Sequence, residues 1–480
     1  MPQLPMTDLT LFLPEIALLS GALCCFIASV ADRSYASVWA LGTLSAIAAL
    51  VCSCLTLTFQ GEPFAPGIYR IDLFSQFLKL GISGGLWLVQ MLSRDDSSLR
   101  RFGRLELPFF LLLSGVGMMI LVSATELLTL YVGLELAAYG LYISVALRRS
   151  LAIAGEAAAK YLLFGAASSA ITLYGISLIY GASGTTYLAS VVVDGSSLLL
   201  LTGFLLMLAG FLFKLALFPF HFWAPDLYQA APHPVAAFVA TVSKIAAVGL
   251  LARALSLIGA TDAPIGEVFA VLSVASMTLG NLAALRQTDL KRLIGYSAVA
   301  QAGYVFLGFE ALSTRGVAAA LFYALSYGVM SHLAFVVVCA VGRSDKDPSL
   351  SDLVGLHRRA PLTAFFLLVA MFSLAGIPPT AGFFGKWLLF AAALERGQYA
   401  LVLIAAINST VALYYYLQVV RAAYVTPLPA DVERPAEPAV GSQLALKTAG
   451  WISSAAMLAI GIYPAPLFEL AQRAAAVVLR

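Results

Sequence analysis

Stretches of about 20 mostly apolar residues, the length that crosses a bilayer as an α-helix, recur along the whole chain. They fall near residues 9–30, 36–59, 73–92, 106–124, 126–147, 153–180, 197–220, 233–258, 265–285, 293–310, 315–342, 361–394, 399–424 and 447–470. These fourteen runs predict an all-α polytopic membrane protein. Transmembrane β-strands would be about ten residues long and alternate in polarity. The runs do neither. Apolar residues make up 61% of the chain and charged residues 11%, against roughly a quarter charged in soluble proteins. With mean hydropathy at +0.92, the expected partner of the surface is lipid. A net charge of +3 gives no support for a nucleic-acid partner.

Lys and Arg concentrate in cytoplasmic loops. Loops after odd-numbered runs hold Arg33, Arg94, Arg100, Arg101, Arg104, Arg148, Arg149, Arg286, Lys291, Arg292, Arg343, Lys346, Arg358, Arg359, Arg421, Arg434 and Lys447. Loops after even-numbered runs, with the C-terminal tail, hold only Arg70, Arg315, Arg396, Arg473 and Arg480. This bias of 17 to 5 predicts both termini on the outer, periplasmic side of a bacterial inner membrane.

No loop is long enough for a soluble domain. The longest are Gly61–Asp72, Ser93–Leu105, Ser344–Ala360 and Thr426–Ala445. The last is rich in Pro, Ala and Glu and reads as a surface linker. No phosphate-binding glycine motif follows a strand-like segment. Cys24, Cys25, Cys52, Cys54 and Cys339 lack zinc or iron–sulfur spacing, and four scattered histidines argue against a metal site. The chain is therefore expected to hold no cofactor and no metal. The opening MPQLPMTD lacks a basic n-region, so no signal peptide is expected.

Six basic residues lie inside apolar runs: Lys79, Lys160, Lys214, Lys244, Arg253 and Lys386. A charge at the bilayer centre costs roughly 2.5–3.5 kcal/mol on insertion scales, so each needs a partner, water or a function. Glu135 in LYVGLELAAYGLY, Lys244 in VAAFVATVSKIAAVGLL, Lys214 in FLLMLAGFLFKLALFPFHFW and Lys386 in SLAGIPPTAGFFGKWLLF are each isolated from charged sequence neighbours. A carboxylate and three amines at similar depth suggest a row of proton-handling groups. Burial destabilises an ammonium and a nearby carboxylate restores it. A change in Glu135–Lys214 separation would then switch the lysine between holding and releasing a proton. The competing reading is a static buried ion pair that fixes helix packing.

The run from Pro361 to Leu394 has 34 residues, about 51 Å of straight helix against about 30 Å of hydrocarbon. Gly376-Ile377-Pro378-Pro379 is the expected break. The seventh run ends in Leu217-Phe218-Pro219-Phe220, close after Lys214. Broken helices beside ionisable residues mark transporters. Breaks in runs 7 and 12 are five helices apart, which predicts two inverted five-helix repeats. The expected units are an N-terminal three-helix segment (1–105), first repeat (106–260), second repeat (261–425), and linker with C-terminal helix (426–480).

Other candidates have blander readings. Glu126 is expected at the interface. Glu156 and Lys160 are spaced as a local helix pair, with proton uptake as the sharper role for Lys160. Lys79 and Arg253 are expected to snorkel outward. His332 lies mid-run in ALSYGVMSHLAFVVV, either hydrogen-bonded in packing or acting as a relay. His221, His233 and His357 read as loop residues, and Asn408 and Tyr414 to Tyr416 could line water.

FKLALFPFHFWAPDLYQAAPHPVAAFVATVSKIAA strongly resembles the signature of the antiporter-like membrane subunits of respiratory complex I, most of all their N-type branch. LYVGLELAAYGLY, RQTDLKRLIGYSAVAQAGY and SDLVGLHRRAPLTAFFLLVAMFSLAGIPPTAGFFGKW are similar to the same family, over roughly residues 100–425. The resemblance implies a proton-translocating subunit of NADH–quinone oxidoreductase, driven by quinone reduction elsewhere in the complex. It places Glu135 and Lys214 as the paired carboxylate and amine, Lys244 as the connecting lysine, and Lys386 as the outlet lysine. It implies partners among the other membrane-arm subunits, including further antiporter-like ones. NADH, FMN, iron–sulfur clusters and quinone would belong to the complex and not to this chain. Gln301 stands where many relatives have histidine. The nearest rival is a subunit of a Na⁺/H⁺ antiporter or membrane-bound hydrogenase-type complex. A stand-alone solute transporter and a purely structural anchor are more distant rivals.

Overall fold

The computed structural model describes residues 8–61, 67–99, 101–148, 152–193, 197–258, 265–342, 347–427 and 444–479, the side chains of 101 and 102 excepted. The linker expected at 426–445 lies almost wholly outside these, as do Arg100, Arg149, Arg343, Lys346, Arg434 and Arg480 of the loop count.

The apolar runs fold as helices: α1 (Leu13–Val30), α2 (Tyr35–Leu55), α3 (Leu73–Ser93), α4 (Arg101–Ser123), α5 (Leu127–Val145), α6 (Ala152–Ser183), α7 (Leu198–Leu215), α8 (Trp223–Ala230), α9 (His233–Ala240), α10 (Val242–Ala254), α11 (Ile265–Ala284), α12 (Leu290–Glu310), α13 (Thr314–Val341), α14 (Leu356–Arg359), α15 (Pro361–Ala375), α16 (Ala381–Glu395), α17 (Tyr399–Tyr424), α18 (Leu444–Ile462) and α19 (Ala465–Val478). Among the described residues, eleven helical segments are long and apolar enough to cross a membrane. The other three expected runs are also helical, as α3, α12 and the interrupted pair α15–α16, but are more polar or shorter. The described residues contain isolated β-bridges and no named strand.

Helix starts follow sequence signals. Asp72 accepts from Ser75 N at 2.7 Å in a capping box on α3. Glu126 caps α5 through Thr129 N at 2.7 Å, which gives its expected helix-end position a structural cause.

Both expected breaks are present. The seventh run stops at Leu215, where Ala216 adopts φ +54°, and resumes as α8. The twelfth stops at Ala375, where Gly376 adopts φ +88°, and resumes as α16. Each stop has the same bond pattern: Leu217 N donates to Leu212 O and Ile377 N to Phe372 O, both at 2.9 Å. A proline follows within three residues and prevents the helix from resuming. Glycine suits the left-handed position in the second break. Alanine in the first bears a cost of roughly 1–2 kcal/mol.

Two interruptions differ from the sequence expectation. The eighth run is kinked at Thr241, between α9 and α10. Thr241 Oγ1 donates back to Ala237 O at 2.7 Å, a bond that bends helices. The last run ends at Ile462 rather than near 470; Pro464 starts the separate α19, which packs on α13 and α3.

The segment 233–255 is buried throughout and α13 is nearly so, so these elements form the centre of the molecule. Neighbouring helices approach through small residues. A Cβ on Gly175 of α6 would lie 2.3 Å from Met207 N of α7, and one on Gly117 of α4 2.3 Å from Ala137 N of α5.

Two snorkelling expectations are overturned. Lys79 is fully buried and pairs with Glu15 at 2.7 Å, with Tyr69 OH donating to the same carboxylate oxygen at 2.6 Å. Arg253 is buried and holds Asp72 at 3.0 and 3.3 Å while donating to Val122 O. In both cases the partner is distant in sequence and reached across packed helices, so a buried ion pair replaces headgroup contact.

Candidate functional site

The first break sets the geometry of Lys214, which lies in the last turn of α7. Its Nζ is buried and has no hydrogen-bond partner. Lys214 shares a small cavity with Glu135, Ser169, Tyr142 and Gly210. Glu135, half-buried on α5, accepts from Ser169 Oγ, which lies 3.1 Å from Tyr131 OH. Carboxylate and amine therefore face a common space without a direct hydrogen bond, and their coupling rises as the separation shortens.

The other buried amines have a different environment. Lys244 on α10 donates to Leu215 O, approaches Lys214 O at 3.5 Å, and lies 5.8 Å from the Trp223 ring centroid. Lys386 on α16 donates to Leu374 O at 3.3 Å, Ala375 O at 3.1 Å and Ser409 Oγ at 3.1 Å, over the Tyr304 ring. Lys291 on α12 donates to Gln229 O at 2.5 Å and Ala231 O at 2.8 Å. Each of these three lysines thus meets carbonyls left unpaired at a helix C-terminus: α7, α15 and α8 respectively. Those ends carry partial negative charge that suits an ammonium. Lys214 has only Glu135.

The structure brings Glu135, Lys214 and Lys244 together around the first break and sets Lys386 at the second. Around Lys386 a hydrogen-bonded network covers the break. Tyr323 donates to Gln301, which donates to Leu374 O and Tyr416 OH, both at 3.1 Å. Tyr416 bonds Ser297, and Tyr415 donates to Asn281, which donates to Asn408. Gln301 thus sits at the centre of this network. Of the residues expected to line water, Asn408, Tyr415 and Tyr416 are buried, whereas Tyr414 is exposed.

His332 on α13 is joined to neither break. Its Nδ1 lies 2.8 Å from Ser453 Oγ of α18, the packing arrangement rather than contact with a lysine. Lys160 stands apart in a partly exposed cleft, bonded to Glu156 at 2.7 Å and Asp226 at 2.9 Å. Arg292 holds the other Asp226 oxygen at 2.7 Å.

Several ionic groups were missed because their partners are remote in sequence. Asp347 accepts from Arg148 and, at 3.2 Å, from Lys291. Burial pushes the Asp347 carboxyl up, but the charges of Lys291 and Arg148 outweigh it and hold it below the usual carboxylate range. His233, expected in a loop, starts α9, is fully buried, and places Nδ1 2.9 Å from Asp96. At Asp96 burial also pushes upward, and the contacts with His233 and Ser98 bring the carboxyl below its usual range. Asp96, His233 and Cys339 form a group of potential metal donors that linear spacing did not reveal.

Residues 124–412 match a family model described as NADH:quinone oxidoreductase/Mrp antiporter, TM. The chain is 42% identical to NADH-quinone oxidoreductase subunit N 2 of Syntrophobacter fumaroxidans, over 98% of this chain and 99% of that one. Its structure is similar to a chain of respiratory complex I from Thermus thermophilus with bound Aureothin. There the TM-score is 0.83 and the identity 34%, with 95% of this chain and 98% of that one covered. A chain of the Mrp complex from Dietzia sp. DQ12-45-1b shares the fold, with TM-score 0.86 and 22% identity over 99% of this chain and 98% of that one.

Proposed function

The chain belongs to the NADH:quinone oxidoreductase/Mrp antiporter family of membrane subunits, and from that premise we propose that its buried Glu135 and lysines carry protons across the membrane. It is an antiporter-like membrane-arm subunit of NADH–quinone oxidoreductase, a translocase. The catalytic redox groups of such a complex lie outside this reading of the chain, which assigns it no cofactor. The alternative of a Na⁺/H⁺ antiporter or hydrogenase-type subunit is less well supported, because the Mrp likeness is one of fold at lower identity.

The observation that carries the proposal is Lys214: a fully enclosed amine with no hydrogen-bond partner, facing Glu135 across a shared cavity beside a helix break. Such an amine is costly unless its charge is variable. In the proposed cycle, Glu135 approaches and holds the Lys214 proton. When quinone reduction elsewhere draws Glu135 away, the proton passes to Lys244, whose amine already touches the end of α7. It then moves towards Lys386. Tyr228, Tyr327 and Ser331 place buried hydroxyls next to one another and Tyr304 places its hydroxyl near Asn281 and Ser409, and Gln301 joins Tyr323 to Leu374 O, the carbonyl that also meets Lys386. Waters bridging these hydroxyls would complete a route. A potential of 100 mV opposes each charge by about 2.3 kcal/mol, within reach of one lysine gaining or losing one carboxylate. Lys386 releases the proton outward, Lys160 serves proton uptake in the Asp226 cleft, and His332 is a packing residue.

The same reading takes the chain to cross the membrane fourteen times with both termini on the periplasmic face of a bacterial inner membrane. It divides the chain into a three-helix segment (1–105), two inverted five-helix repeats (106–260 and 261–425) and the final segment (426–480). The matched stop geometry at Leu215 and Ala375 supports the repeat. Glu135→Gln in the assembled complex tests the coupling: protons moved per quinone reduced should fall while quinone reduction remains measurable. An unchanged ratio would refute the role of Glu135.

A further inference from the structure

We propose that Asp96, His233 and Cys339 form a binding site for one soft divalent cation, with Zn²⁺ as the best fit. The three residues come from the loop after α3, the first turn of α9 and the last turn of α13. Their donor atoms all lie within 4.8 Å of one another, and all three side chains are buried. A carboxylate, an imidazole and a thiol are a zinc donor set. The thiol disfavours Mg²⁺ and Ca²⁺, which take oxygen ligands.

The surroundings pre-position the donors. Ser98 Oγ donates to the Asp96 carboxylate and accepts from His233 N at 3.1 Å. Arg104 donates to the Asp96 backbone carbonyl at 2.5 Å. A narrow crevice lined by Asp96, Cys339, Met91, Leu92 and Leu446 opens beside Asp95, which is exposed. That crevice borders two of the three donors and carries a second carboxylate, Asp95, on its wall.

Charge balances on binding. Cys339 gives up its thiol proton to solvent and binds as thiolate. Asp96 binds as carboxylate, and His233 exchanges its Nδ1 contact with Asp96 for the metal. Two anionic ligands then neutralise the 2+ ion in a buried place. The neighbouring cations Lys291 and Arg148 share the single carboxylate of Asp347, which leaves one positive charge that the two anionic donors also face. An ion here would tie α9 to α13, and α9 leads through the Thr241 kink to Lys244, so occupancy would restrain the helix that carries the connecting lysine.

The test uses the intact complex, stripped with chelator, incubated with ZnCl₂ and desalted. Zinc per complex should be one higher in wild type than in Cys339→Ala. The zinc K-edge difference between loaded and stripped wild type should contain one sulfur at about 2.3 Å with nitrogen and oxygen at about 2.0–2.2 Å. Equal zinc in the two proteins, or a wild-type difference spectrum without sulfur, would overturn the site. Because metal content and ligand identity are read directly, neither result depends on the proton-transfer proposal.

Discussion

Lys244 Nζ donates to the carbonyl oxygen of Leu215, the residue that ends the half-helix carrying Lys214. One amine therefore closes the helix end on which the other sits. Lys386 does the same for α15 from the far side of its own break, 3.1 Å from Ala375 O. The two breaks are alike in backbone and differ in the placement of lysine: before the first, after the second. Of Lys214, Lys244, Lys291 and Lys386, Lys214 alone meets no helix-end carbonyl, which is why the proposal makes it the amine whose charge follows Glu135.

Lys244→Met should uncover the carbonyl end of α7. A buried acceptor left unpaired costs about 1–3 kcal/mol, so the assembled complex should unfold at lower temperature and pump fewer protons per quinone reduced. Lys244→Arg keeps a donor and should retain more stability than Lys244→Met. Equal thermal midpoints in the two variants would remove the capping role.

At the second break, Ser409→Ala leaves both carbonyl bonds of Lys386 in place. Proton pumping should fall by roughly two- to tenfold at most, the effect of the roughly 0.5–1.5 kcal/mol of one hydrogen bond. Lys386→Met should abolish outward release. Comparable losses in both would show that the hydroxyl, rather than the amine, limits transfer.

The Lys79–Glu15 pair lies outside the proposed proton route, and its variants separate stability from transport. Glu15→Ala leaves a buried ammonium uncompensated, at about 3–5 kcal/mol, and should lower subunit incorporation on native gels. The double variant Glu15→Leu with Lys79→Met should recover incorporation and pump normally. Failure of the double variant to recover would assign the pair a further role.

Asp347 gives a pH dependence. Its carboxyl is held below the ordinary 3.8, so its contribution to stability is present above the unfolded value and is lost as pH falls through the lower, folded one. The difference in thermal midpoint between wild type and Asp347→Asn should stay constant from neutral to mildly acidic pH and shrink only below the usual carboxylate range. Shrinkage near pH 6 would contradict the pairing with Arg148 and Lys291.

Local signals revealed much of this molecule. Run length gave the helices, Gly376 and Pro378 gave the second break, and isolation in apolar sequence marked Glu135, Lys214, Lys244 and Lys386. Long-range contacts were invisible. Lys79 reads as a snorkelling lysine until α1 and α3, both packed on α2 and α4, bring Glu15 to it. His233 reads as a loop residue until the turn after α3 folds Asp96 over it. The Thr241 kink had a weak signal, a threonine able to bond back to Ala237. Helix-end capping by lysine depends on where half-helices stop in space, which spacing cannot supply.

Replacement of Lys214 by Met in an assembled complex, with protons translocated per quinone reduced as the readout, confronts the central claim most directly. The account predicts a lower ratio with quinone reduction retained and native subunit content. An unchanged ratio in a fully assembled Lys214→Met complex would contradict it.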